Sequence, residues 1–374
     1  MSPFPRPDYR SLTRYHFDRT PVELDLSDNT NRWGPHPAAL EVLRRAEGDA
    51  LARYPTLYAD ELRQAAARRL GVAAGCIATG CGSDDILDSA YRAAGGGPGD
   101  FVSVAAPTFS MAEPLARMNG MAARTTPWRE ALEDPARLMA GDPALVYVCR
   151  PNNPTGHLAP PGWVEALLTL AGDSGPLVLL DEAYIEFGGE SFAGRAAQHP
   201  RLLVSRTLSK AFGLAGLRVG YAVGREDTIL EVEKSRGPYK VSHPAGAAAA
   251  AALDDEAGWV ERTVAECVAN RARLARALAK RGLEPVASSA NFLLFPAPGG
   301  DARADALALR ARGVAARSFP GVLKDRDGDA PAQDRGRALG TGDALRVTVA
   351  PWREMERFLE ALDDYLETLG EVRP

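Results

Sequence analysis

Short apolar runs at 101–105, 144–149, 177–180, 202–205 and 219–223 set the tightest limit on what this chain can fold into. Each is almost continuously Val, Leu, Ala or aromatic. A strand with one wet face alternates apolar and polar residues; a near-continuous run suits a strand buried on both faces of a mainly parallel sheet. Helix-like stretches at 60–70 and 84–93 precede these runs. Strands interleaved with helices predict an α/β fold, with a mainly parallel central sheet flanked by helices.

Downstream, a long Ala-, Glu- and Arg-rich helix is expected over 257–281, leading into a smaller C-terminal α+β unit with strands at 291–295 and 345–349. The last helix carries Phe358, Leu362, Tyr365, Leu366 and Leu369 on one core-facing stripe. The expected organisation is an N-terminal arm over 1–35, a large domain over 36–250 and a small domain over 251–374. Residues 324–342, rich in Asp, Arg and Gly, read as a mobile surface loop. No internal repeat is visible.

Composition excludes several classes of function. The net charge of −5 leaves no basic face for nucleic acid. No apolar run approaches the roughly 20 residues of a membrane span. The first residues, MSPFPRPDYR, lack the apolar centre of a secretory leader. The cysteines, Cys76, Cys81, Cys149 and Cys267, form no CxxC pair, so neither a metal site nor a disulfide framework is expected. Reduced thiols fit the cytoplasm.

The chemistry-bearing segments converge on one cofactor. RTLSKAFGL, at 206–214, places Lys210 between Thr207 and Ser209, with Arg218 further on. A lysine at a site's mouth can form a Schiff base with an aldehyde cofactor, and hydroxyls with an arginine suit a phosphate. Lys210 thus reads as an anchor for pyridoxal phosphate, against the alternative of an ordinary surface lysine. GCGSDD, at 80–85, opens a helix whose free N–H groups can seat a phosphate; a plain helix cap at Ser83 or Asp84 is the other reading. Phe109, after a strand, can stack on a planar ring or simply pack in the core. PNNPTG, at 151–156, is a rigid polar turn in which Asn153 can donate to a phenolic oxygen. DEAY, at 181–184, puts Asp181 at the end of a buried strand, where a carboxylate needs a partner; a protonated pyridine nitrogen is one, and a helix cap is the alternative. Tyr184 can reach the same phenolic oxygen. All these groups sit at strand carboxyl ends, where open α/β sheets bind ligands.

PNNPTG, DEAYIEF and RTLSKAFGLAGLRVGY resemble the fold-type I, pyridoxal-phosphate-dependent aminotransferases of class II, and within them the histidinol-phosphate aminotransferase branch. The resemblance runs from about residue 26 to 366. It implies that Lys210 is the Schiff-base lysine and proton carrier and that Asp181 pairs with the pyridine nitrogen. It further implies that Asn153 and Tyr184 contact the phenolic oxygen, that Phe109 stacks on the ring, and that Ser83, Asp84, Thr207, Ser209 and Arg218 hold the phosphate. Arg346, in LRVTVAPWRE, is implied to bind the substrate carboxylate, and Arg317 to help grip a substrate phosphate. Asn31 and Gly34 are implied on the substrate side. Tyr54, in RYP, is implied to reach the partner subunit's cofactor phosphate, so a homodimer with shared sites is expected.

The sequence departs from the branch in several places. Asn29, Thr30, Asn31 and Arg32 replace the usual Asn-Glu-Asn-Pro. Phe109 stands where tyrosine is usual. The stretch between Arg317 and Arg346 is longer than usual. The expected function is therefore amino-group transfer between a donor, glutamate by expectation, and an oxo acid or aldehyde. A decarboxylase resembling threonine-phosphate decarboxylase and an aminotransferase for another amino acid share the same cofactor cage. A regulator built by fusing this fold to a DNA-binding domain finds no helix-turn-helix segment to support it.

Overall fold

The computed structural model describes residues 4–5, 9–10, 12–16, 18, 20–324 and 342–372. The expected 324–342 loop lies, but for its ends, outside the described residues. Among the described residues twelve strands run, in chain order, β1 (Leu24–Asp25), β2 (Ile77–Cys81), β3 (Phe101–Ala106), β4 (Ala122–Pro127), β5 (Leu145–Cys149), β6 (Leu177–Asp181), β7 (Leu202–Thr207), β8 (Val219–Val223), β9 (Phe292–Pro296), β10 (Val314–Ala315), β11 (Arg317–Phe319) and β12 (Ala344–Thr348).

The central sheet has the order β2-β8-β7-β6-β5-β3-β4. Pairing is parallel from β7 through β6, β5 and β3 to β4, and β8 is antiparallel to both its neighbours. All five residues of β5 are buried. Its even-numbered residues, Val146 and Val148, join one core cluster with Val178, Leu180 and Val204. Its odd-numbered residues, Leu145, Tyr147 and Cys149, join another with Leu179, Leu203 and the inner face of the helix Gly82–Ala94. A continuous apolar run is thus the sum of two buried faces, each of period two. Two strands of this sheet escape the sequence reading, as do the short β1, β10 and β11. β4 is an edge strand whose polar residues, Arg124, Thr125 and Thr126, are what keeps an edge in solution. β2 lies just before the glycine turn that dominates that segment.

The small sheet has the order β11-β12-β9, with antiparallel pairing throughout. Arg346 therefore stands on a central strand and is not an edge-strand arginine. The short β1 pairs in parallel with β10 as a separate two-stranded sheet, so residues 24–25 are tied to the segment that leads into β11. Thr348 N–H donates to the Leu26 carbonyl at 2.8 Å, which carries residues 27–30 into the gap between the two sheets.

Candidate active site

The parallel strands end on a cavity of about 600 Å³, a size suited to a cofactor plus a small substrate. It is lined by the residues after β3 (Thr108, Phe109), β5 (Asn153), β6 (Asp181, Tyr184) and β7 (Thr207, Ser209, Lys210). From the small sheet come Arg317, Phe319 and Arg346, and from the N-terminal segment Tyr15 and 27–30. A larger depression of about 890 Å³ opens at the opposite strand ends, around Ala144, Leu177 and Arg201, and holds no lysine.

Lys210 is half-buried, and its Nζ donates to the Asp28 carbonyl at 3.1 Å. Burial pushes its pKa down to about 8, against the pull of Asp28. A lysine so shifted can exist as the free amine near neutrality, the form that attacks an aldehyde.

Asp181 lies on the cavity floor, 3% exposed. Tyr147 donates its hydroxyl to Oδ2 at 2.8 Å, and Ala183 N–H donates to Oδ1 at 3.2 Å. Burial raises the Asp181 pKa to about 6, against these two donors. The Ala183 bond is the cap-like contact that the plainer sequence reading anticipated, but it uses only one oxygen. A carboxylate this deep, held by neutral donors, suits a cationic ring nitrogen facing it.

Tyr184 accepts from Asn29 Nδ2 at 3.0 Å and from Asn153 Nδ2 at 3.4 Å. Asn153 Oδ1 in turn accepts from Arg346 Nη1. Arg346 Nη2 donates to the Ser27 carbonyl at 2.9 Å, and its Nε is buried with no hydrogen-bond partner among the described residues. Phe292 and Phe319 flank the guanidinium at 5.1 and 5.2 Å. Burial lowers the Arg346 pKa to about 10, with Arg317 acting in the same direction. A buried cation with an unused donor is matched to an incoming anion.

At the other end of the cavity, the turn into the helix Gly82–Ala94 carries the Ser83 backbone. Neither Ser83 nor Asp84 caps the helix by its side chain; the cap residue is Cys81. Asp84 instead pairs with Arg218 at 3.2 Å. Arg218 reaches Ser209 Oγ at 3.5 Å, and Thr207 donates to Ser209 Oγ at 3.0 Å. Arg218 has φ +51°, an unusual backbone for a bulky residue and of the kind found at functional sites. A Cβ on Gly220 would lie 2.6 Å from the Gly82 carbonyl carbon and the Ser83 nitrogen, so glycine there lets β8 press against the turn. Hydroxyls, helix N–H groups and a guanidinium together form an oxyanion seat.

Two expected residues do not reach this cavity. Asn31 donates to the Ala211 carbonyl at 3.0 Å and accepts from Trp33 N–H at 2.8 Å, both bonds turning it away from the opening. Gly34 lies against Gly213: a Cβ there would come within 2.1 Å of the Gly34 carbonyl oxygen. Both brace the loop that carries Lys210. Tyr54 is 83% exposed and stacks on Tyr239 at 4.8 Å. The unusual Arg32 is engaged by Glu354 at 2.7 Å. In the other direction, Tyr147, Asn29 and Tyr15 are cavity or floor residues that motif reading missed. Tyr147 is hidden inside an apolar run, and Tyr15, which accepts from Arg317 Nη2 at 3.2 Å, comes from a proline-rich arm. Asn29 alone left a signal, as the first asparagine of the divergent 29–32 segment.

The whole chain has the fold-type I transferase fold. It superposes with a TM-score of 0.83 on a histidinol-phosphate aminotransferase from Sinorhizobium meliloti, solved with pyridoxal-5'-phosphate, at 26% identity and covering 99% of both chains. The chain belongs to the aminotransferase class I and II family, whose model matches residues 21–362. Similar proteins include the histidinol-phosphate aminotransferase of Roseiflexus castenholzii, 41% identical over 81% of this chain and 84% of its own. Another is that of Methylibium petroleiphilum, 38% identical over 86% and 88%. No helix among the described residues is long and apolar enough to cross a membrane.

Proposed function

We propose that this aminotransferase uses pyridoxal 5'-phosphate to move an amino group between glutamate and the ketone corresponding to histidinol phosphate. When bound, the cofactor supplies an aldehyde for the amino group and a ring that accepts electron density. Lys210 Nζ anchors it covalently and carries the proton at the reacting carbon. Asp181 would pair with the ring nitrogen and favour its protonated form. Tyr184, braced by Asn29 and Asn153, donates toward the phenolic oxygen. Phe109, on the cavity wall, would stack on the ring. Ser83 and Asp84, by backbone, with Thr207, Ser209 and Arg218, hold the phosphate. Asn31 and Gly34 support the Lys210 loop from behind.

One observation carries the substrate assignment: Arg317 on β11 and Arg346 on β12 are direct cross-strand partners, so two guanidiniums share one wall of the cavity. Like charges placed opposite each other on a sheet are destabilising. An anionic substrate relieves that cost. Arg346 takes the α-carboxylate of glutamate. For a phosphate ester, which carries close to two charges, Arg317 adds the second cation. The relatives that bear the name histidinol-phosphate aminotransferase support the same choice.

The large and small domains are placed at 36–250 and 251–374, with 1–35 as an arm. We place the protein in the cytoplasm, in keeping with four free cysteines, and assemble it as a homodimer. Leu51, Tyr54, Leu57 and Tyr239 are all exposed along one stretch of surface, with Tyr239 N–H bonded to the Leu57 carbonyl. Such an apolar patch suits a second copy, and Tyr54 of the partner subunit would then complete the phosphate seat.

The substrate test compares kcat/KM for histidinol phosphate with that for histidinol and phenylalanine, using 2-oxoglutarate as acceptor. Preference for the phosphate ester by at least about 100-fold, roughly 2.7 kcal/mol, is expected. Good activity on phenylalanine with none on the ester overturns the assignment and leaves the aminotransferase intact.

A further inference from the structure

Behind the phosphate seat lies a carboxylate in an awkward place. Asp85 Oδ2 accepts the Cys81 N–H at 3.1 Å and so holds the turn that opens the helix Gly82–Ala94. The same carboxylate, 11% exposed, brings a negative charge to the back of a turn that must receive a phosphate dianion. At low local dielectric, that repulsion is large unless a cation cancels it.

Two cations stand beside it. Lys240 Nζ lies 3.2 Å from Asp85 Oδ1. Arg236 is 7% exposed; Nε, Nη1 and Nη2 have no hydrogen-bond partner among the described residues, and Asp85 and Glu233 are the carboxylates acting on it. The chain is bent to make this contact. Tyr239, immediately before Lys240, has φ +60°, a strained conformation for an aromatic residue. Ser235 Oγ donates to the Ser89 carbonyl at 2.7 Å, pinning the same segment to the helix. Glu233 is itself engaged by Arg63, so charge alternates from Lys240 through Asp85, Arg236 and Glu233 to Arg63.

We propose that Lys240 is a positioning residue for cofactor binding: it neutralises Asp85, so that Asp85 can hold the Cys81 amide without repelling the phosphate on the other side of the turn. Arg236 supports it from the buried side. This rests on the assignment of the 82–84 turn as the phosphate seat. Lys240 lies outside the cavity wall, so it acts through Asp85 and not by touching the cofactor. An ordinary half-exposed ion pair contributes little to stability and nothing to ligand choice; a positioning role makes a different prediction.

The test titrates the apoenzyme with pyridoxal phosphate and, separately, with pyridoxal, which lacks the phosphate. In Lys240→Gln, the dissociation constant for pyridoxal phosphate should rise about tenfold while that for pyridoxal stays the same. Lys240→Arg should bind as wild type. Adding Asp85→Asn to Lys240→Gln removes the charge that needed cancelling and should restore affinity to within about threefold. Asp85→Asn alone, which keeps an acceptor for Cys81, should make binding indifferent to the residue at 240; that comparison stands even if Lys240→Gln folds poorly. Equal losses for both ligands, no loss, or no recovery in the double variant overturns the proposal. Wild-type protein that binds the two ligands equally well would instead remove the phosphate seat itself.

Discussion

Tyr147 on β5 donates its hydroxyl to Asp181 Oδ2 on β6 at 2.8 Å, so the acid on the cavity floor is held by a neighbour two residues from the strand's end. The register places Cys149 beside Asp181, and Tyr147 approaches diagonally on the same face. This bond opposes the rise that burial imposes on the Asp181 pKa. In Tyr147→Phe that pKa should climb further above about 6. Activity at pH 7 should fall about tenfold, equivalent to about 1.4 kcal/mol, and recover as the pH is raised and Asp181 ionises. A pH profile of kcat/KM that superposes on wild type would show that the bond has no bearing on the acid.

Replacing Asp181 with Asn should separate stability from function. The folded pKa is raised from 3.8 to about 6, so the folded state binds the proton more tightly than the unfolded chain. Its stabilising contribution is full below pH 3.8 and is lost as pH rises through about 6; above that, the apoprotein carries a buried ionised acid at a cost of about 3 kcal/mol. Lys210 has the opposite displacement, from 10.5 to about 8, so its contribution is full above pH 10.5 and is lost as pH falls through about 8. Both groups therefore weigh against the apoprotein between pH 6 and 8. Asp181→Asn should raise the apoprotein's Tm at pH 7.5 by a few degrees and lower kcat at least 100-fold. Thermal melts and steady-state rates measured together decide it; a lower Tm, or a loss under about tenfold, assigns Asp181 to structure alone.

The two arginines of the small sheet should divide by substrate. Arg346→Ala strips one partner from a buried charge–dipole network and should weaken every substrate, glutamate included, by about 2–5 kcal/mol in kcat/KM. Arg317→Ala should spare glutamate to within about fivefold and penalise the phosphate ester at least tenfold more. Measuring the two half-reactions separately, by cofactor absorbance, exposes the split. Equal effects of Arg317→Ala on both would leave it without a role in substrate choice.

The proposed sharing of Tyr54 between subunits is checked by a complementation experiment. Lys210→Ala should lose turnover by at least about 10²–10⁴-fold, since it removes both the covalent anchor and the proton carrier, while retaining pyridoxal phosphate non-covalently. Tyr54→Ala should weaken cofactor binding about tenfold. Mixing the two under exchange conditions, at cofactor concentrations too low to saturate Tyr54→Ala, should regain activity, because one site in the hybrid dimer carries both native residues. An active species that sediments as a monomer contradicts this assembly.

The strand runs and the residues at their ends were legible because both signals are local. A strand buried on both faces must be apolar throughout, as β5 and β7 are, and a ligand at its carboxyl end must be met by the next few residues. Hence Lys210, Asp181, Asn153, Phe109 and Arg218 stood out from neighbours alone, and the structure gathers them around one cavity. β4 stayed hidden because an edge strand needs no apolar pattern, and β2 because Gly80, with Gly82 just beyond it, read as a turn.

What the chain alone could not disclose depends on contacts between residues far apart in sequence. Tyr147 looks like any core aromatic until the register of β5 against β6 aims it at Asp181. Asn29 becomes a donor to Tyr184 across 155 positions only because β1 docks on β10 and draws the arm between the sheets. Asn31 and Gly34 follow Asn29 by two and five positions, yet they lie against Ala211 and Gly213. The order of residues determined which groups are chemically equipped to serve. Strand register and the docking of the arm decided which of them meet, because those arrangements follow from how the whole chain buries its apolar faces and not from any short stretch of it.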